Sequence, residues 1–152
     1  MIIKAKSFAK VNPHLKITGL REDGYHVLDL SFLSINLADE LRFRRLDERE
    51  ITISTDADIS PEENLCFRVA KNLQTDCNTS AGAKIDLEKE IPIGGGLGGG
   101  SSNAATTLIC LNRLWECNLT EEELTEIGKS FGADISFFLK GGYCAGRGIG
   151  DE

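Results

Sequence analysis

The chain has 152 residues, of which 41% are apolar and 27% are charged, and its formal net charge is −7 at pH 7. This length and composition suit one domain of a globular protein. The negative charge argues against general nucleic-acid binding, and no apolar run approaches the roughly 18 residues of a membrane helix. We therefore expect neither a nucleic acid nor a membrane as partner.

The cysteines and the N-terminus both predict a cytoplasmic protein. Five cysteines without a C-x-x-C pair favour reduced thiols over a disulfide framework or a zinc site. The first residues, Met1 to Lys6, lack the apolar core and the cleavage site of a signal peptide.

The order of the predicted elements indicates an α+β fold. Alternating or β-branched residues predict strands near 2–11, 14–20, 25–37, 40–46 and 50–56. Helices are predicted over about 61–74 and 102–117, from Thr120 and from Gly132, with strands over 83–91 and from Tyr143. Thr120 and Glu123 have the spacing of a capping box. Strands first and helices later favour α+β over a regular β-α-β alternation.

The most informative segment is residues 92–105, with the sequence PIGGGLGGGSSNAA. Six of the seven residues from Gly94 to Gly100 are glycine, which indicates a backbone with positive φ or one that is approached very closely. Directly before a helix start, such a loop forms an anion site, most plausibly for phosphate. Ser101 and Ser102 are predicted at the N-cap of that helix.

Two general phosphate motifs do not fit this segment. Gly94, Gly96 and Gly99 formally satisfy G-x-G-x-x-G, but a match within six glycines carries little weight. The preceding strand alternates with charged residues, unlike the apolar run of a central parallel strand. A Walker loop needs lysine before the hydroxyl residue, whereas Ser101 directly follows the last glycine.

The segment instead resembles the phosphate loop of the GHMP small-molecule kinases, a family typified by galactokinase, homoserine kinase and mevalonate kinase. Residues 9–12, 18–19 and 23–26 resemble the family's N-terminal substrate segment. Residues 63–65 resemble its nucleotide-side helix, and residues 132–135 its catalytic-aspartate motif. The resemblance implies a ribosomal-protein-S5-domain-2-like α+β fold. Residues 1–152 would be the N-terminal, ATP-binding half of such a kinase, without the C-terminal domain, and we expect this chain alone to be inactive.

The resemblance also implies ATP as the phosphate donor, accompanied by Mg²⁺ with few protein ligands, which it does not identify. ATP would be held by Asn64 and by the loop residues Pro92, Ile93, Gly94, Gly95, Gly96, Leu97, Gly98, Gly99, Gly100, Ser101 and Ser102. On the residues alone, helix starts explain Asn64 and the two serines equally well.

Two residues are implied to carry the chemistry. Asp134 would accept the proton of the substrate's hydroxyl, and Lys10 would neutralise developing charge and hold Asp134 ionised. Without the resemblance, Asp134 fits an ordinary helix N-cap and Lys10 a surface lysine at a strand end.

The substrate implied is a sugar alcohol linked to cytidine diphosphate, bound by Asn12, Tyr25 and His26. Tyrosine stacks on a pyrimidine and imidazole reads its edge, although a core tyrosine and a turn-capping histidine fit the same residues. Two alternatives stay open at this point. One is a GHMP kinase for another substrate, such as mevalonate-pathway intermediates or homoserine, and the other is a non-catalytic nucleotide-binding module with the same fold.

Overall fold

The computed structural model describes residues 1–20 and 26–148. Its strands are β1 (Ile2–Val11), β2 (Leu15–Leu20), β3 (His26–Leu46), β4 (Ile51–Thr55), β5 (Gly82–Glu88) and β6 (Tyr143–Gly148). Its helices are α1 (Leu65–Asp76), α2 (Gly99–Leu114), α3 (Glu121–Lys129) and α4 (Ala133–Lys140). The predicted α+β class is confirmed.

The sheet is organised around β3, which pairs with four of the other strands. β1 and β2 lie antiparallel along one side of β3, and β5 and β6 lie antiparallel along the other side. β4 is parallel to β5. The prediction of two strands over 25–37 and 40–46 was wrong, because β3 runs unbroken through 21 residues. Its pairing with β1 shifts register between Phe8 and Lys10, and such a bulge bends a strand without ending it.

The helices cover one face of the sheet and enclose the main core. The largest fully buried side chains there come from the sheet and from α1 and α2, and include Phe43, Leu73, Ile85, Leu108 and Leu111. A smaller cluster of Leu30, Phe32 and Phe137 lies against α4, where the rings of Phe32 and Phe137 stack with centroids 4.9 Å apart. Among the described helices, none is long and apolar enough to cross a membrane.

Three helix starts show how caps decide the boundaries. α1 begins at Leu65 instead of position 61, because the side chain of Asn64 accepts the amide hydrogen of Cys66 at 2.9 Å and forms the N-cap. α2 begins at Gly99, earlier than predicted, with Gly98 as its N-cap. α3 has the predicted capping box of Thr120 and Glu123.

A disulfide joins Cys77, at the C-terminal end of α1, to Cys117, just after the C-terminal end of α2. The prediction of five reduced thiols was therefore wrong. Cys77 and Cys117 are bonded with their Cα atoms 5.4 Å apart, a usual separation for a disulfide. They are 40 residues apart in sequence and meet only because α1 and α2 pack together, so no local pattern indicates the bond. Cys66, Cys110 and Cys144 are free. Burial raises the pKa of the Cys66 and Cys110 thiols to about 11.

Candidate active site

The glycine-rich loop connects the end of β5 to the start of α2 with a backbone that requires glycine. Gly94, Gly96 and Gly98 have φ angles of +75°, +71° and +70°, values that other residues adopt only with strain. At Gly98 close approach adds a second requirement. A Cβ there would lie 2.7 Å from the ring of Phe138 and 3.1 Å from Cγ of Lys10.

The N-terminus of α2 faces this loop without a capping side chain. Gly98 offers none, and the first turn, residues 99–102, contains no acidic residue. The amide of Ser102 closes the first helical hydrogen bond, to the carbonyl of Gly98 at 2.9 Å. The amides before it have no partner within the helix. The correction to the sequence prediction is that Ser101 and Ser102 lie in the first turn and not at the cap, which leaves the positive helix end open to an anion.

A cleft of about 350 Å³ lies along the loop. All the residues predicted to bind nucleotide line it except Ser102: Asn64 and Pro92, Ile93, Gly94, Gly95, Gly96, Leu97, Gly98, Gly99, Gly100 and Ser101. Ser102 is buried. Its hydroxyl donates to the carbonyl of Phe8 at 2.7 Å and accepts from Ser7 Oγ at 2.7 Å. Ser102 therefore links α2 to β1 through these two hydrogen bonds, and its hydroxyl is not directed to the cleft.

Lys10, Asn12 and Asp134 come together beside the loop. Lys10 Nζ lies 3.3 Å from Asp134 Oδ2 and donates a hydrogen bond of 2.8 Å to Asn12 Oδ1. It also lies 5.3 Å from the ring centroid of Phe32, within the range of a cation–π contact. Lys10 is only 7% exposed, so it is not the surface lysine that its position at a strand end also allowed.

Asp134 lies in the first turn of α4, whose N-cap is Gly132. The alternative interpretation of Asp134 as the N-cap is therefore wrong. Its carboxyl group keeps about a third of its surface exposed, so a ligand can reach it. The ammonium of Lys10 lies 3.3 Å from this carboxyl group, which stands in the first turn of α4. The arrangement presents an accessible carboxyl group with a cation at its side.

The main chain of Lys10 ties this pair to the loop. Its amide donates to the carbonyl of Leu97 at 2.9 Å, one residue before the N-cap of α2. The lysine–aspartate pair and the open helix end therefore form one continuous site.

The two remaining predicted site residues lie at the edge of what the structure describes. Tyr25 falls outside the described residues. His26 begins β3, where its backbone pairs with Leu20.

The buried acid Asp39 was not found by the sequence reasoning. Its side chain is fully buried. Oδ1 accepts the amide hydrogens of Glu90 and Ile91, both at 2.8 Å, and Oδ2 accepts from Asn103 Nδ2 at 2.8 Å and from Lys89 Nζ. Burial acts to raise the pKa of this carboxyl, but the hydrogen bonds from Lys89, Ile91, Asn103 and Glu90 outweigh it and lower the pKa.

One signal could have indicated that Asp39 is buried. It precedes Leu41 and Phe43 at spacings of two, and side chains at that spacing share one face of a strand. Lys89, which also lines the cleft, has no comparable signal because it lies beyond the end of β5.

The fold and the site together define an α+β domain with an open, glycine-lined helix N-terminus beside a lysine–aspartate pair. Residues 64–142, more than half of the chain, match the family model described as GHMP kinases N terminal domain. The chain belongs to the GHMP kinase family.

Curated relatives match across almost the whole chain. A 4-diphosphocytidyl-2-C-methyl-D-erythritol kinase from Acinetobacter baumannii is 47% identical over 151 residues, which are 99% of this chain and 54% of the relative. The kinase of the same name from Neisseria meningitidis serogroup A is 46% identical over 145 residues, covering 95% of this chain and 52% of the relative. The chain thus spans about half the length of the curated relatives it matches.

Solved structures agree on the fold. The crystal structure of a 4-(cytidine 5'-diphospho)-2C-methyl-D-erythritol kinase matches 98% of this chain and 53% of its own, with a TM-score of 0.89 and 36% identity. Mevalonate kinase from Methanococcus jannaschii matches 97% of this chain and 53% of its own, with a TM-score of 0.69 and 19% identity. The second likeness supports the fold alone.

Proposed function

We propose that the protein is an ATP-dependent kinase acting on 4-diphosphocytidyl-2-C-methyl-D-erythritol. It would phosphorylate the 2-hydroxyl group of this substrate, a step in non-mevalonate isoprenoid precursor biosynthesis, in the cytoplasm. The names of relatives 46–47% identical support this substrate. The observation that carries the proposal is the double contact of Lys10. Its amide bonds to Leu97 of the loop and its ammonium lies 3.3 Å from Asp134.

The glycine loop and α2 suit the triphosphate of ATP. The free amides at the start of α2 bind phosphate oxygens without needing a positively charged protein, so the net charge of −7 is no obstacle. Asn64 and Leu65 also line the cleft, where the nucleoside would lie.

Mg²⁺ would come with the nucleotide. Among the described residues no group of three or more His, Cys, Asp or Glu side chains could hold a metal ion. ATP-bound Mg²⁺ needs only one or two protein carboxylates, since phosphate and water supply its other ligands. When bound, the ion neutralises charge on the phosphates.

Asp134 would act as the general base of the transfer. Its carboxylate accepts the proton of the substrate hydroxyl as that oxygen bonds to the γ-phosphorus and the bond to the leaving ADP breaks. Lys10 stabilises the negative charge that develops on the transferred group. Asn12 orients the ammonium through its 2.8 Å hydrogen bond.

The cytidine end of the substrate would be bound by Tyr25 and His26, with Asn12, which contacts Lys10, as a third substrate-binding residue. A tyrosine face stacks on a pyrimidine, and an imidazole nitrogen can exchange hydrogen bonds with its edge. Tyr25 and His26 favour a cytidine-linked substrate over mevalonate or homoserine, because neither of those alcohols would explain a pair of residues suited to bind cytosine.

Phosphate transfer tests the proposal directly. The protein made from its complete reading frame is supplied with Mg·ATP and, separately, with the cytidine-linked substrate, mevalonate and homoserine, and ADP release is followed. We expect turnover with the cytidine-linked alcohol alone. Turnover with another alcohol would assign a different GHMP kinase, and ATP binding without any transfer would assign a non-catalytic nucleotide-binding module.

A further inference from the structure

Both ends of the glycine loop are attached to a single side chain, that of Asp39. The ladder between β3 and β5 ends at the pair Glu40–Glu88. Beyond it the amides of Glu90 and Ile91 donate to Asp39 Oδ1 at 2.8 Å each. Next comes Pro92, which has no amide hydrogen. A carboxylate oxygen thus replaces the strand partner where the chain enters the loop.

The exit of the loop is attached to the other oxygen of the same carboxylate. Asn103, in the second turn of α2, donates from Nδ2 to Asp39 Oδ2 at 2.8 Å and to Ser7 Oγ at 3.0 Å. Lys89 Nζ donates to Asp39 Oδ2 and to Asn103 Oδ1, the latter at 3.1 Å. These bonds fix the start of α2 relative to the end of β5.

Close packing at Gly99 leaves little room for α2 to move relative to the residues that enter the loop. A Cβ at Gly99 would lie 2.9 Å from Ile91 Cγ2 and 3.1 Å from Lys89 Nζ. The first residue of α2 therefore packs directly on the residues that Asp39 holds. Because the amides at the start of α2 must point at the phosphates, the position of this helix end relative to the loop decides how well they bind.

We propose that Asp39 is a positioning residue that sets the geometry of the phosphate loop by fixing its entry and its exit at once. It touches no substrate, and it acts through Glu90, Ile91 and Asn103. The inference rests on the proposed function, because it takes the ligand of the loop to be the triphosphate of ATP.

Asp39→Asn tests the inference with little change of shape. The new amide keeps one acceptor oxygen but presents a donor to Lys89 and Asn103, which themselves donate, so the attachments of entry and exit cannot both persist. Asn103→Ala is the second variant. It removes the hydrogen bond from α2 to Asp39 and keeps the bonds from the amides of Glu90 and Ile91. Asp39 stays paired with Lys89. The matched control is Asp56→Asn, because Asp56 accepts the amide hydrogen of Lys89 at 3.0 Å from an exposed position and is not among the residues that line the cleft.

The readouts are binding of Mg·ATP and of adenosine by calorimetry and amide hydrogen exchange over residues 89–103, measured on folded protein. We expect Asp39→Asn to weaken ATP binding by about tenfold to a hundredfold, Asn103→Ala to weaken it less, and Asp56→Asn to leave it unchanged. Adenosine binding should change little, and exchange over residues 89–103 should rise in the first two variants.

Equal weakening of ATP and adenosine, or unchanged exchange in both Asp39→Asn and Asn103→Ala, would overturn the inference. If Asp39→Asn does not fold, Asn103→Ala alone decides between these outcomes. If the wild-type protein made from its complete reading frame binds ATP but transfers no phosphate, the proposed function is overturned and the role of Asp39 stays intact.

Discussion

The amide of Lys10 donates to the carbonyl of Leu97, a contact of 2.9 Å between the end of β1 and the glycine loop. These residues are far apart in sequence, and their bond holds the backbone of Lys10 against the loop while its ammonium lies 3.3 Å from Asp134 Oδ2. Movement of the loop therefore also moves the backbone of Lys10, the lysine proposed to stabilise the transferred phosphoryl group.

The lysine–aspartate pair predicts a loss of turnover without a loss of nucleotide binding. In the protein made from its complete reading frame, Asp134→Asn removes the proposed base and Lys10→Ala removes the cation, so each should lower kcat by about 10²- to 10⁴-fold. The Kd for Mg·ATP should change little, because the loop amides hold the phosphates. Steady-state kinetics and calorimetry give the two quantities.

Lys129→Ala is a suitable control for this experiment, since Lys129 forms an exposed ion pair with Glu126 on α3. It should leave kcat unchanged. Parallel losses of turnover and ATP affinity in both active-site variants would contradict the catalytic assignment.

The loop glycines predict a graded response to alanine. Gly98→Ala combines a strained φ with a 2.7 Å clash against Phe138, Gly96→Ala has the strain alone, and Gly95→Ala has neither. We expect Gly96→Ala to lower the free energy of unfolding by roughly 1–2 kcal/mol, Gly98→Ala to lower it more, and Gly95→Ala to change it little. Urea unfolding measures the series, and an equal effect at all three positions would show that the backbone conformation is not the cause.

The lowered pKa of Asp39 predicts a pH-dependent contribution to stability. A carboxyl whose pKa is lower in the folded protein stabilises the fold fully above its unfolded pKa, about 3.9, and loses this contribution as the pH falls through the folded pKa. The free energy of unfolding should therefore differ most between wild type and Asp39→Asn at pH 6–7, and the difference should shrink below about pH 4. Urea titrations across this range give the values. A difference that stays constant with pH would mean that the charge of Asp39 is not what stabilises the fold.

The cysteines predict a defined pattern of thiol reactivity. Burial and a pKa of about 11 keep Cys66 and Cys110 unreactive at neutral pH, so iodoacetamide should label Cys144 first in the folded protein. Denaturation without reductant should expose three thiols, and reduction should add Cys77 and Cys117. Intact-mass measurement counts the labels, and five thiols without reductant would contradict the disulfide.

Loss of the disulfide should destabilise the fold. Closing a loop with a sequence separation of 40 residues is worth about 4 kcal/mol in the chain-entropy model, with typical measured values of about 2–4 kcal/mol. Cys77→Ser should lower the free energy of unfolding by about this amount in oxidising buffer and have little effect in excess dithiothreitol. Similar losses in both buffers would attribute the effect to packing and not to the bond.

The sequence allowed good prediction of features that depend on local patterns. Thr120 and Glu123 lie within one helical turn, so their capping box is readable directly. The glycine run indicated the loop before a helix start, and the motifs around Lys10 and Asp134 indicated two residues that lie 3.3 Å apart, because each is a short, distinctive string. Their chemical roles stay a prediction. The strand break expected before position 40 was wrong, since a bulge and a true strand end interrupt the apolar alternation in the same way.

Features that depend on tertiary packing were missed for a physical reason. Asp39 and Asn103 are 64 residues apart, as their hydrogen bond shows, and nothing near either residue indicates the other. The same holds for Cys77 and Cys117, whose meeting depends on how α1 and α2 pack. Ser102 was predicted to lie at the helix cap, but α2 begins at Gly99 and its N-cap is Gly98, which has a positive φ.

The uncapped start of α2 has a consequence for how the reaction responds to acidity. Peptide amides neither gain nor lose protons in the range where enzymes work, so the phosphate-binding element keeps the same polarity from mildly acidic to mildly alkaline solution. If the proposed function holds, a bell-shaped or sigmoidal rate profile would thus report the acid–base groups beside the loop and the ionisation of ATP itself, because the polarity of the helix end does not change over that range.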